Sequence, residues 1–150
     1  QVEVDMGEPS VFPQISIPLM ELTYSVMPVS MGNPHCILFC PHPEEIALDV
    51  LGPALERHPV FPDRTNVEFV AVEGDQLRLR VWERGSGETL ACGTGACAAL
   101  AAAHFLGLCP PEVTALLPGG SLVLSLDTAS GHIRMTGPAV TVFEGEWPGG

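Results

Sequence analysis

The chain has no lysine; six arginines stand against 18 acidic residues. A formal net charge of −12 repels a phosphate backbone overall and argues against nucleic-acid binding. No apolar run is long enough to span a bilayer, and no secretory leader is visible, so the composition predicts a soluble protein without a membrane segment. The five cysteines, Cys36, Cys40, Cys92, Cys97 and Cys109, contain no Cys-x-x-Cys pair. Cys92 and Cys97 are poorly spaced for shared ligation on one helix. His42, His58, His104 and His132 show no ligand pattern either, so no metal site is expected. An odd cysteine count without a leader predicts reduced thiols and a cytoplasmic setting.

What is present suits one folded domain. The 150 residues are 46% apolar, enough for a core. Gln1 at the start is compatible with a processed product, a fragment or an excised domain. Short alternating stretches punctuated by Pro and Gly predict strands at Val2–Met6, Leu22–Val29 and His35–Phe39. Further strands are predicted at Leu122–Leu126, His132–Met135 and Ala139–Phe143. Glu8–Pro18 reads as an irregular, Pro-rich connection. Pro43–Arg57 reads as a helix with Ile46, Val50, Leu51 and Leu55 on its apolar stripe, open to interruption at Gly52-Pro53. Asn66–Glu73 and Gln76–Glu83 read as a hairpin closed by Gly74-Asp75. Arg78 and Arg80 fall on its solvated face. Glu83 shares the apolar face with Leu77, Leu79 and Val81, where a carboxylate needs a partner or an open site.

The most informative segment is Ala91-Cys92-Gly93-Thr94-Gly95, directly ahead of the run Ala96–Ala103. A helix over Gly95–Leu106, closed by Gly107, would place Cys92 at its mouth. Unpaired N–H groups and the positive end of the helix dipole favour thiolate over thiol there. Gly93 and Gly95 leave the backbone bare for a carboxylate to approach the same amides. Strands outnumber helices, so the predicted class is α+β: a curved antiparallel sheet wrapped around a central Ala-rich helix. Cys97 falls inside that helix as core, Cys36 and Cys40 read as packing residues, and Cys109 has no functional case.

Four segments carry a further signal together. They are Gly32-Asn33-Pro34-His35, Phe61-Pro62-Asp63-Arg64-Thr65-Asn66-Val67-Glu68-Phe69, Arg80-Val81-Trp82-Glu83-Arg84-Gly85, and Gly87-Glu88-Thr89-Leu90-Ala91-Cys92-Gly93-Thr94-Gly95-Ala96. In order, spacing and content they closely resemble the second half of the diaminopimelate epimerases. Val4-Asp5-Met6-Gly7 and the tail Met135–Ala139 with Val142–Gly145 extend the likeness almost end to end. The resemblance implies one half of a two-half fold, each half a sheet around a central helix. On that basis residues 1–150 form a single domain, with about 1–21 a connecting segment and about 137–147 a return strand to the facing half.

The resemblance also implies a function. It is epimerisation of LL-diaminopimelate to meso-diaminopimelate in lysine biosynthesis by two thiols on opposite faces of the α-carbon, without pyridoxal phosphate, metal or other cofactor. Cys92 would be one proton acceptor and donor. Gly93 and Thr94 would give N–H groups to the reacting carboxylate. Asn33, Asn66, Glu83 and Arg84 would bind the distal amino-acid head, and His35 and Glu83 would bias the thiol. Structural readings stay open beside these. Asn33-Pro34 suits a turn, His35 and Asn66 suit satisfied strand positions, and Glu83-Arg84 suits a surface pair.

Nothing here matches the motif of the family's other thiol, so the second base is expected from a missing N-terminal half or a homodimer partner. The alternatives are another pyridoxal-independent amino-acid racemase or isomerase of the same superfamily, a non-catalytic amino-acid-binding fragment, or a structural remnant.

Overall fold

A computed structural model of the chain describes residues 1–138. The strand predicted at Ala139–Phe143, and nearly all of the proposed return segment, lie outside the described residues. The strands are β1 (Val2–Asp5), β2 (Ser10–Val11), β3 (Ile15–Leu19), β4 (Leu22–Ser30), β5 (Pro34–Phe39), β6 (Asn66–Glu73), β7 (Gln76–Glu83), β8 (Gly87–Thr89), β9 (Glu112–Leu117), β10 (Gly120–Leu126) and β11 (Ile133–Gly137). The helices are α1 (Leu48–Glu56), preceded by a short 3₁₀ turn at Pro43–Glu45, and α2 (Gly93–Phe105).

Among the described residues the strands form one sheet in the order β1-β11-β10-β9-β7-β6-β5-β4-β2, with β3 on β4 and β8 on β7. The class is α+β, as expected. The pairing is antiparallel except for β5 with β6 and β7 with β9. Each parallel pair needs a crossover, and each crossover carries one helix: α1 lies between β5 and β6, and α2 between β7 and β9.

The two helices pack against different core clusters and so cover opposite faces of the sheet. Met27, Val29, Ile37, Val70, Leu79 and Val81 join the buried alanines of α2. Val26, Cys36, Leu38, Val67 and Phe69 join Leu48 and Leu55 of α1. Alternation along β4, β5 and β6 distributes these side chains between the faces. Residues 66–71 of β6 are therefore all buried, although the hairpin reading left one face to solvent. α2 is buried all round from Gly95 to Ala103, which its small side chains permit. Its end is closed by Gly107 at φ +73°, with Gly107 N–H donating to His104 and Leu108 N–H to Ala103, the Schellman pattern.

Several expectations need correction. The segment from Glu8 to Pro18 is not irregular throughout, because β2 and β3 both pair with β4. The strand expected at Val2–Met6, by contrast, is present as β1 and joins the sheet through β11. The predicted helix Pro43–Arg57 is split before Leu48, not at Gly52-Pro53, and Val50 faces solvent at 50% exposure while Leu48 is buried. Arg80 is not a solvated strand residue. It donates to both carboxylate oxygens of Glu88 and to the carbonyls of Pro43 and Ile46, tying β8 and the 3₁₀ turn to β7.

Gly52 is where α1 meets β7. A Cβ built there would lie 2.5 Å from Cδ2 of Trp82, so the helix backbone rests on the indole ring. Gly52→Ala gains about 1 kcal/mol of helix propensity but forces an overpacked contact that costs about 1–3 kcal/mol. Net destabilisation is expected, read as a lower urea midpoint with unchanged slope; a raised midpoint would contradict this packing.

Candidate active site

The hairpin between β4 and β5 turns at Gly32, whose φ of +96° suits glycine, and this sets Asn33 at the tip and His35 two residues into β5. β6 runs parallel beside β5, with Asn66 opposite His35 and Glu68 opposite Ile37, so all four face α2. α2 arrives on this surface by its N-terminus. A Cβ at Gly95 would lie 2.6 Å from Oε1 of Glu68 and 3.1 Å from Sγ of Cys92, so only glycine admits this approach.

Cys92 is the N-cap of α2, with φ −148° and ψ 105°, and its Sγ accepts the Gly95 N–H at 3.3 Å. The amides of Gly93 and Thr94, in the first turn, have no acceptor within the helix and remain suited to an anion. A chain of polar contacts leads away from the sulfur. Thr94 Oγ1 is 3.7 Å from Sγ, Asn33 Nδ2 donates to that hydroxyl at 3.3 Å, and Asn33 Oδ1 lies 3.2 Å from His35 Nε2. His35 Nδ1 lies 2.6 Å from Oε1 of Glu68. Both of these side chains are fully buried.

The structure thus brings Cys92, Thr94, Asn33 and His35 into one network. Glu83 is half-buried at the end of β7 and accepts the Thr89 hydroxyl at 3.0 Å. Asn66 is already engaged on both ends: its Nδ2 donates to the Pro34 carbonyl and its Oδ1 accepts the Arg84 N–H. Arg84 is exposed, with its guanidinium on the Asp63 carbonyl. It borders a cleft of about 450 Å³ shared with Ser30, Gly32, Pro34, Phe61 and Arg64. Among the described residues, no group of three His, Cys, Asp or Glu is placed to hold a metal ion.

Two carboxylates escaped the sequence reading. Glu68 had a signal, an acid between Val67 and Phe69 in an apolar strand. Glu56 had none. It accepts the Trp82 indole N–H at 2.9 Å and the Gly85 N–H at 3.1 Å, bracing the turn that carries Arg84.

The expected acidity of Cys92 is overturned. Burial pushes the thiol above its ordinary value; the Thr94 hydroxyl and the Gly95 N–H pull it down by less, and the Glu83 carboxylate adds to the rise. The helix end is real, but desolvation wins. At neutral pH the resting form is the thiol.

The family model described as diaminopimelate epimerase matches residues 27–142. A diaminopimelate epimerase of Thermosynechococcus vestitus is 48% identical over 169 aligned positions, covering 99% of this chain and 59% of that protein. One from Methanococcus maripaludis is 47% identical, covering 97% of this chain and 57% of that protein. The chain thus spans rather less than two thirds of these relatives' length. Among solved structures, a hydroxyproline epimerase from Agrobacterium vitis superposes with a TM-score of 0.64 at 17% identity, over 89% of this chain and 48% of that one. A phenazine biosynthesis protein of the PhzF family from Bacillus anthracis gives a TM-score of 0.53 at 19% identity, over 90% of this chain and 40% of that one. These two likenesses show a shared fold.

The resting thiol has a measurable consequence. Alkylation of Cys92 by iodoacetamide is expected to be still accelerating at about pH 9, above the ordinary cysteine range. Thr94→Val removes one donor to the sulfur and should slow alkylation at pH 8 about fivefold, the equivalent of one ordinary hydrogen bond. A plateau near pH 7, or an unchanged rate in the variant, would contradict the network. With the helix-capping thiol, its neighbours and the sequence match in agreement, the chain belongs to the diaminopimelate epimerase family.

Proposed function

We propose that this chain supplies one face of a two-base epimerisation that converts LL-diaminopimelate to meso-diaminopimelate. The observation that carries the reading is Cys92 Sγ at the N-cap of α2, beside first-turn amides and hydrogen-bonded to Gly95 N–H. A substrate carboxylate held by the amides of Gly93 and Thr94 would place the α-carbon next to the sulfur. The same dipoles would stabilise the negative charge that develops when the α-proton leaves.

Because burial keeps Cys92 protonated at rest, it begins as the donor in one direction. A thiolate on the opposite face takes the α-proton, Cys92 gives its proton to the carbanion, and configuration inverts. The reverse reaction starts with the two sulfurs in exchanged states. A proton leaves one sulfur for each proton that the other gains, so the pair needs no external acid or base.

The distal amino-acid head is assigned to the cleft bordered by Arg84. In this reading Arg84 takes the distal carboxylate, Glu83 the distal ammonium, and Asn33 contacts the same head. Asn66 serves the cleft by fixing the main chain at Arg84 and Pro34. The second sulfur is assigned to a facing half outside these 150 residues, an N-terminal domain; a second copy of this chain is the rival source that the heavy-water test below excludes. Val2 and Val4, exposed on β1, support such a neighbour. Val4 pairs with Met135, whose side chain lies against Gly93 at the helix mouth.

The assembled enzyme tests the assignment. Cys92→Ala should lower formation of the meso product by at least about 100-fold, the lower bound for a positioned acid–base group. The 150-residue chain incubated alone with LL-diaminopimelate in heavy water should show no inversion. Efficient inversion with deuterium at the α-carbon by this chain alone, or an unaffected rate in the variant, would overturn the proposal.

A further inference from the structure

Glu68 raises a question that the two-thiol reading does not answer. Its side chain is fully buried, Oε1 meets His35, and Oε2 has no hydrogen-bond partner among the described residues. The surrounding hydrogen bonds decide where the proton sits. Asn33 donates its Nδ2 to Thr94, leaving Oδ1 as the acceptor facing His35. His35 Nε2 therefore carries a hydrogen and donates it. A neutral imidazole protonated on Nε2 has a lone pair on Nδ1, and the Glu68 carboxyl 2.6 Å away then supplies the proton between them.

The competing state, imidazolium with carboxylate, would bury an anionic oxygen with no donor, which costs far more than burying a neutral one. The titratable groups facing Glu68 besides His35 offer no compensating positive charge. They are Glu83 from β7, Cys92 from α2 and Cys36 from β5.

We propose that Glu68 is held as a neutral carboxylic acid that donates to His35 Nδ1, and that this donation sets the direction of the hydrogen-bond chain ending on Cys92. Glu68 donates to His35, His35 to Asn33, Asn33 to Thr94, and Thr94 to Sγ. Thr94 Oγ1 accepts from Asn33, so its own hydrogen is free for the sulfur. Cys92 then faces two donors, Thr94 O–H and Gly95 N–H, in the thiolate form it must pass through. No proton travels along the chain; Glu68 is a positioning residue that never touches the substrate. Burial, which pushes the Glu68 carboxyl upward, supports the same state. This inference rests on Cys92 being the proton-transferring thiol and deepens that reading.

The test uses the full chain and does not require turnover of diaminopimelate, so its failure is distinguishable from failure of the epimerase assignment. Infrared difference spectra of wild type minus Glu68→Gln at pH 7 should show a protonated-carboxyl band. ¹⁵N spectra of the labelled imidazole should show His35 Nε2 protonated and Nδ1 accepting. Glu68→Gln, whose amide N–H can replace the acid proton without changing charge, should alkylate at Cys92 at the wild-type rate at pH 8. Glu68→Leu is equally uncharged but has no donor. It should alkylate about fivefold more slowly than Glu68→Gln, one hydrogen bond's worth. Faster alkylation in Glu68→Gln would mean that an anion had been removed and would overturn the proposal. So would equal rates in the two variants, an unprotonated Nε2, or the absence of the carboxyl band.

Discussion

The close approach of the α2 N-terminus to the buried carboxyl of Glu68 is the constraint on which the site depends. A helix end carries unpaired amides and attracts negative charge. Here it lands on an acid, across a glycine with no room for a Cβ. The encounter is possible because β6 is covered on both faces, by α1 on one side and α2 on the other. Between Gly95 and Ala103 every residue of α2 except Leu100 is small, which lets the helix settle deep enough to bring Cys92 level with the ends of β5 and β6. The sulfur is placed by packing and only then tuned by polar contacts.

That order of causes explains the protonation of the thiol. A helix dipole contributes about 0.3–1 kcal/mol at exposed positions, whereas burial acts on the whole charge of a thiolate. At Cys92 burial prevails, and the hydrogen bonds from Thr94 and Gly95 only moderate it. In the proposed two-base reaction a protonated sulfur is no defect, because one base must start as an acid. Burial and the nearby Glu83 carboxylate distinguish this helix mouth from a simple anion site: they discourage a standing thiolate while the first-turn amides remain for a substrate carboxylate.

Much of this was legible in the sequence where the signal is local. The Gly74-Asp75 hairpin, the Ala-rich helix with Cys92 at its mouth and the cap at Gly107 all follow from a few adjacent residues, and the structure has them. What escaped depends on contacts across the chain. β9 was missed because its buried residues Val113, Ala115 and Leu117 are interleaved with the apolar Leu116 just after Pro110-Pro111, which blurs the alternation, and its partners lie on β7 and β10. Glu68 lies inside a motif without standing out from it, since its burial requires both helices to be in place. The resemblance marks Asn66 as a substrate-binding candidate, yet its two hydrogen bonds to main chain emerge only when β5 and β7 flank it. The sign of the Cys92 shift was misread because depth of burial is not written in a capping sequence.

The most direct measurement of the central claim is a ¹³Cβ titration of labelled Cys92 in Gly95→Ala compared with the unsubstituted chain, with circular dichroism confirming that the fold is kept. An added methyl must push the helix end away from Glu68 and lengthen the Gly95 N–H contact to the sulfur, so the variant should titrate at higher pH. An identical titration curve in a folded variant would show that this close approach does not govern the thiol, and would contradict the account.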